Sequence, residues 1–222
     1  LTAPGQNIPN IVFGINQNDF DNEQQIFSAA SCTTNAIVPV LKIINDKFGI
    51  KQGHIESIHA YTNDQNLVDN MHSKYRRGRA AALNMVITET GAGKAVDKAI
   101  PGLGKKLTSN AIRVPVSNGS LAILKLSLIK NTSVEKINAA IKDAAFKGDL
   151  VEQIKYSVSQ ELVSSDVVGD SCCSILDSQS TILHSDKKSA VLYVWYDNEY
   201  GYTRQVMRLA KHIVGVKRRT YF

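Results

Sequence analysis

The stretch "NAIRVPVSNGSLAILKLSLIK", residues 110–130, constrains the fold more than any other. Leu124, Leu126 and Leu128 alternate with Lys125 and Ser127, the period-two pattern of a strand with one buried face and one wet face. The β-rich run before the Ser-Asn-Gly turn reads as a hairpin-like neighbour of that strand. A half-buried sheet needs helices over its apolar side, and the chain supplies candidates. Between Thr34 and Asp46, Ile37, Val40, Leu41 and Ile44 fall at i, i+3, i+4 and i+7. This spacing predicts a helix whose N-terminus lies at Ser31 to Asn35. Pro39 then belongs in its first turn, where a missing N–H costs least.

Three more helices are predicted. "GAGKAVDKAI" (91–100) is stopped by Pro101. "TSVEKINAAIKDAAF" opens on a capping box, Thr132 to Glu135, and puts Val134, Ile137 and Ile141 on one face. The last, 199–214, carries Val206, Leu209 and Ile213 as an apolar stripe. "NIVFGIN" (10–16), "GHIESIHAY" (53–61) and "SAVLYVWYD" (189–197) read as further strands. The polar segment from Thr62 to Arg79 is too long for a simple connection and reads as a functional loop. Together these elements predict an α+β fold with a mostly antiparallel or mixed sheet and helices packed on one face.

Composition narrows the function classes. With 222 residues, 43% hydrophobic and 21% charged, the chain is of ordinary globular make-up. No run approaches the ~18 apolar residues of a membrane helix, and the start lacks the pattern of a secretory signal. Three cysteines, two of them adjacent at Cys172 and Cys173, make a poor disulfide framework and favour a reducing cytoplasm. The adjacent pair has no metal-ligand spacing and reads as structural. The net charge of +6 is scattered, apart from "KYRRGR" (74–79) and "KRR" (217–219). That is a solvated basic surface or a site for small anions, not the basic and aromatic face of a nucleic-acid binder. The opening "LTAPGQNIPNIVFGINQ" has no initiator Met and reads as a strand end, a turn and a second strand, as though the chain were cut in mid-fold.

"SAASCTTNAIVPV" (28–40) puts Cys32 at a predicted helix N-terminus. A thiol reacts as its thiolate, and helix amides or an adjacent imidazolium lower its pKa. His59 is the best placed of five histidines, at the end of the strand that returns after the Cys32 helix. A small buried cysteine fits the same pattern, so packing and reactivity both stand on these residues alone. Ser31, Thr33 and Thr34 add hydroxyls beside free helix amides, an arrangement that suits an oxyanion. Thr90 and Gly91 repeat it before the second helix. Arg79 and Arg113 could supply guanidinium forks for phosphate. Taken singly, these residues are equally helix caps and surface salt bridges.

Seven peptides then give a resemblance. "SAASCTTN" (28–35), "HAYTNDQ" (59–65), "RRGRAAALN" (76–84), "TGAGKAV" (90–96), "IRVPV" (112–116), "LVSSD" (162–166) and "WYDNEYGY" (195–202) occur in one order along the chain. The sequence resembles the catalytic portion of phosphorylating glyceraldehyde-3-phosphate dehydrogenases. That resemblance implies Cys32 as nucleophile and His59 as its base. It implies Ser31, Thr33, Thr90 and Gly91 around inorganic phosphate, Thr62 and Arg113 on the substrate's own phosphate, and Arg79 between the two. Asn198 matches the residue that binds the nicotinamide carboxamide of NAD or NADP, and 62–84 matches a loop that reaches a neighbouring subunit of a homotetramer. An aldehyde phosphate and inorganic phosphate are the implied small-molecule partners.

The implied domain plan has three parts: 1–31 as the tail of a nucleotide-binding region, 32–197 as the catalytic domain, and 198–222 as a helix that packs on a nucleotide domain. No Gly-rich phosphate loop follows a strand here, and "GLGKK" (102–106) lacks the spacing, so no Rossmann domain is expected in this chain. Weak dinucleotide binding and negligible turnover by these 222 residues are the corresponding expectation. Ala36 stands where many relatives have a second cysteine. Erythrose-4-phosphate dehydrogenase is the nearest alternative reading. A cysteine hydrolase is more distant, because it has no use for two anion sites and Asn198, and a non-catalytic binding fragment finds little support in the bland composition.

Overall fold

The computed structural model describes residues 1–20 and 23–216; the "KRR" run and the end of the 198–222 segment lie outside them. In chain order the elements are α1 (Cys32–Phe48), β1 (Ile50–Ala60), β2 (Val86–Thr88), α2 (Ala92–Ala99), β3 (Leu107–Val114), β4 (Ser120–Leu128) and α3 (Val134–Phe146). They continue with β5 (Ile154–Ser157), β6 (Ser174–Asp177), β7 (Ile182–Leu183), β8 (Ser189–Tyr196) and α4 (Tyr200–Ile213). Among the described residues the strands form one mixed sheet in the order β2-β3-β1-β4-β8-β6-β5, with β7 paired to β8. This is the expected α+β architecture, and no doubly wound parallel sheet is present among these residues.

Alternation decides which side is covered. Along β4 the residues Ser120, Ala122, Leu124, Leu126 and Leu128 are buried, as are Ala190, Leu192, Val194 and Tyr196 along β8. Helix α1 lies over this face, crossing β1, β4, β8 and β6, with α2 and α3 beside it. Hence α1 is buried almost all round, from Thr33 through Leu41 and again at Ile43 and Ile44. Each such aliphatic side chain contributes about 2 kcal/mol of burial, so α1 is the keel of the domain.

Four details differ from the sequence expectation. The run 110–130 is not a hairpin: β3 runs parallel to β1, β4 antiparallel to it, and β1 lies between them. The link from Pro115 to Gly119 passes over the end of β1, where Tyr61 N–H donates to Val116 O at 3.1 Å. Residues 10–16 form turns, with one isolated bridge from Asn10 to Ser28. There the side-chain oxygens of Asn10 and Asn16 accept from Gly5 N and Val12 N, capturing donors that a ladder would use. The cap of α3 is Ser133, whose hydroxyl accepts from Lys136 N, not Thr132.

The fourth difference is Pro39, which sits inside α1 beyond its first turn. Proline removes the N–H that would bond the carbonyl four residues earlier, here that of Asn35. Ser174 on β6 supplies a substitute: its hydroxyl lies 3.4 Å from Asn35 O and also bonds Ala36 O.

Candidate active site

Cys32 is the first residue of α1, and the approach to it is constrained. Ala30 has φ of 56°, a left-handed conformation that costs a non-glycine residue about 1–2 kcal/mol. It is held by Ala30 N–H to the Ser28 hydroxyl at 3.0 Å and by the Tyr202 hydroxyl to Ala30 O at 2.9 Å. Ser31 then caps the helix, its Oγ accepting from Thr34 N at 3.1 Å and touching the Thr34 hydroxyl at 2.7 Å. The result aims the Cys32 side chain at the end of β1.

His59 is waiting there. Cys32 Sγ and His59 Nε2 are 3.4 Å apart. On the far side of the ring, Nδ1 lies 2.7 Å from Ala60 O and against the guanidinium of Arg113, which itself donates to Ala60 O at 3.0 Å. His59 and Arg113 are directly opposed in the parallel β1–β3 ladder. With Nδ1–H on Ala60 O, Nε2 is left as an acceptor facing the thiol.

Protonation differs from the simple expectation of a thiolate beside an imidazolium. Burial, then the Arg113 charge, pushes His59 down to about 4, while the bond to Ala60 opposes this. The imidazole is therefore neutral at pH 7. Burial pushes the Cys32 thiol up, against the amide and hydroxyl of Thr33, the charge of Arg113 and its own amide. The fixed positive charge on the sulfur is thus Arg113, and the neutral ring is free to accept a proton.

The cleft around this pair has a volume of about 440 Å³. Of the candidates named from sequence, it brings together Ser31, Cys32, Thr33, His59, Thr90, Gly91 and Arg113. Three others lie elsewhere. Arg79 is 63% exposed and pairs with Asp69 at 3.2 Å, away from the cleft. Thr62 follows the end of β1, where its carbonyl starts a turn by accepting from Gln65 N. Asn198 is not in the lining, but its Oδ1 accepts from the Ser120 hydroxyl, which in turn accepts from Ala60 N. It is therefore two hydrogen bonds from the strand end that carries His59. Asn198 is half-buried and lies just past the end of β8.

Arg77 was missed in the sequence and lines the cleft in place of Arg79. It sits in a single 3-10 turn, Tyr75–Gly78, and is buried. Asp64, the Thr88 hydroxyl at 2.9 Å and Glu89 O hold its guanidinium. Nothing in "RRGR" tells one arginine from the next. The turn chooses, because any Cβ at Gly78 would collide with the Asn70 carbonyl. Burial lowers the pKa of Arg113, and the neighbouring charge of Arg77 adds to it. Two guanidiniums that repel one another, with Arg113 Nε buried and unpartnered, make a cleft that favours an anion.

A larger hollow, about 680 Å³, opens at the other end of the sheet around Gly53, His54 and Lys106. Neither thiol nor carboxylate lines it. Among the described residues no group of three or more His, Cys, Asp or Glu side chains is placed to hold a metal ion, and no helix is long and apolar enough to cross a membrane.

Comparison with known proteins points the same way. The family model described as glyceraldehyde 3-phosphate dehydrogenase, C-terminal domain, matches residues 31–198. A glyceraldehyde-3-phosphate dehydrogenase-like protein of Pseudomonas aeruginosa (strain UCBPP-PA14) is 54% identical over 217 residues, covering 97% of this chain and 47% of the relative. Glyceraldehyde-3-phosphate dehydrogenase of Clostridium pasteurianum is 45% identical, with 97% and 64% covered. That of Mycobacterium leprae (strain TN) is 47% identical, with 90% and 58% covered. The chain thus spans about half to two thirds of the length of these relatives.

Proposed function

Since the chain belongs to the glyceraldehyde 3-phosphate dehydrogenase family, we propose that it is the catalytic part of an oxidoreductase that converts an aldehyde phosphate, glyceraldehyde 3-phosphate, into an acyl phosphate. One observation carries this reading: the Cys32 sulfur lies 3.4 Å from a neutral His59 in a cleft with two guanidiniums.

His59 Nε2 takes the thiol proton, and the sulfur attacks the aldehyde carbon to give a hemithioacetal. The new oxyanion is met by the Cys32 amide and takes the proton back from His59, which gives the hemithioacetal hydroxyl and leaves the ring neutral. NAD or NADP, when bound, would supply the hydride acceptor that oxidation to the thioester needs, with Asn198 the residue for its carboxamide. His59 receives the hydroxyl proton. Inorganic phosphate then attacks the thioester: the new C–O bond forms, the C–S bond breaks, and the thiolate returns. Ser31, Thr33, Thr90, Gly91 and Arg77 hold that phosphate, while Thr62 and Arg113 hold the one on the substrate.

The loop 62–84 belongs to this reading as the contact with a second subunit of a homotetramer. It exposes Leu67, Val68, Met71, Tyr75 and Leu83, an apolar set that suits a subunit interface. All three cysteines are free, which suits the reducing cytoplasm.

Acyl transfer tests the reading without any dinucleotide. An acyl phosphate such as acetyl phosphate, run in the reverse sense, should acylate Cys32 and release inorganic phosphate. Peptide mass spectrometry should place the acyl group on Cys32, with none on C32S and slower labelling of H59N. Acylation spread over other side chains, or none, sinks the proposal.

A further inference from the structure

Residues 1–10 have no place in the scheme above, yet both ends of this stretch are fastened to the segment just before Ala30 and Cys32. Ala29 N–H donates to Leu1 O at 3.0 Å, and Ser28 N–H donates to Pro9 O at 2.9 Å. The Ser28 hydroxyl adds a bond to Ala3 O at 2.6 Å. Between these anchors the backbone forms a strap, and Pro4 on it lines the cleft that holds Cys32 and His59.

Two side chains fix the strap beside the pinned end of Pro4. Asn10, 5% exposed, grips both backbone groups of Gly5. Its Nδ2 donates to Gly5 O at 2.8 Å, and its Oδ1 accepts from Gly5 N at 3.0 Å. A backbone N–H only donates and a carbonyl only accepts, so the direction of this amide is settled. Nδ2 also donates to Ile8 O at 3.0 Å, and no Cβ fits at Gly5 against the Ile8 side chain. Lys98, near the end of α2, donates to Gly5 O at 2.5 Å and to Gln6 O at 3.0 Å.

Other parts of the lining, Ser57, Ala92, Ala95 and Ala111, belong to β1, α2 and β3 and are backed by the core. The strap has no such backing. Leu1 to Pro4, Gln6 and Asn7 are exposed, so hydrogen bonds rather than packing set its place. We propose that residues 2–8 are a size-limiting wall of the active cleft, clamped by Asn10 and Lys98, which admits small, slender aldehydes to Cys32 and turns bulkier ones away. The inference deepens the proposed function and rests on Cys32 being its nucleophile. Asn10 and Lys98 touch no reacting atom and are positioning residues.

The test uses two maleimides that share one reactive double bond, N-methylmaleimide and N-phenylmaleimide. Both are given to the 222-residue chain as wild type, Asn10→Ala and Lys98→Met. Their rates at Cys32, read by peptide mass spectrometry, are taken as a ratio and divided by the same ratio for free cysteine. The wild type should favour the methyl reagent. Losing one ordinary hydrogen bond of the clamp should raise the open fraction of the strap, and the phenyl rate with it, about fivefold. The methyl rate should hold, and Cys173, 2% exposed, should stay unlabelled as the sign that the fold is intact. A corrected ratio near unity in the wild type, or an unchanged ratio in the folded variants, overturns the wall and leaves the nucleophile standing. If N10A does not fold, K98M, altered at an exposed lysine, decides alone. Failure of both reagents to label Cys32 is a different result, because it removes the nucleophile and the wall falls with it.

Discussion

The guanidinium of Arg113 rests against Nδ1 of His59, on the side of the ring away from the Cys32 sulfur. Burial disfavours a second proton on the imidazole, and the permanent cation beside it adds to the effect, leaving a pKa of about 4.

Stability should therefore depend on pH through this ring. Above pH ~6.5 His59 is neutral in both folded and unfolded chains and contributes no slope. As pH falls from ~6.5 towards 4 the unfolded chain gains a proton that the folded chain refuses, so stability is lost across that window, by up to about 3 kcal/mol. Urea unfolding at several pH values should show this loss in the wild type and a flatter profile in H59N. Equal slopes in the two proteins would contradict the assignment.

Anions should stabilise the chain through Arg77 and not through Arg79. Any ligand that binds only the folded state raises stability with its concentration. Inorganic phosphate should raise the melting temperature of the wild type, and R77A should lose about half of that gain or more. R79A, altered at an exposed pair with Asp69, should keep it. The reverse ranking would return the phosphate site to Arg79.

How much of this was legible from the chain depended on the reach of each signal. The alternating leucines of β4 and the helical spacing behind Cys32 are local patterns, and both were readable. The strand order was not, because no local rule shows that the 115–119 link passes over the end of β1. Ser31, Cys32, Thr33, Thr90 and Gly91 stand at helix starts, which sequence marks well. Arg77 was hidden by its arginine neighbours, since the choice among them is made by a tight turn at Gly78.

Thiol selectivity offers a third check. Burial and the charge of Asp170 push Cys172 up to about 11, and burial pushes Cys173 up to about 12. Cys32 is also raised by burial, but Thr33 and Arg113 pull against it. Limited iodoacetamide at neutral pH should label Cys32 first, by about tenfold or more over Cys172, as read by peptide mass spectrometry. Comparable labelling of Cys32 and Cys172 would show that the opposing groups do not act.

A fourth prediction concerns the helix that carries the thiol. Ser174→Ala removes the hydroxyl donor shared by the Asn35 and Ala36 carbonyls and should cost about 1–2 kcal/mol. Pro39→Ala restores an N–H to the Asn35 carbonyl, so the two changes should be coupled. A double-mutant cycle by urea unfolding should give a coupling energy of at least about 0.5 kcal/mol, with the proline replacement softening the serine loss. Strict additivity would mean that Ser174 does not stand in for the missing donor.

Because His59 and Arg113 face each other across a parallel ladder, the gap between base and cation is not adjustable in small steps. Loop lengthening cannot widen it, and side-chain mobility at the rim cannot close it. A strand slips only by whole residues, and a single-residue slip of β1 would turn His59 to the opposite face of the sheet while Arg113 on β3 stayed where it is. Evolutionary tinkering with this chemistry therefore has to proceed by exchanging residue types at fixed addresses, while the addresses themselves are inherited intact.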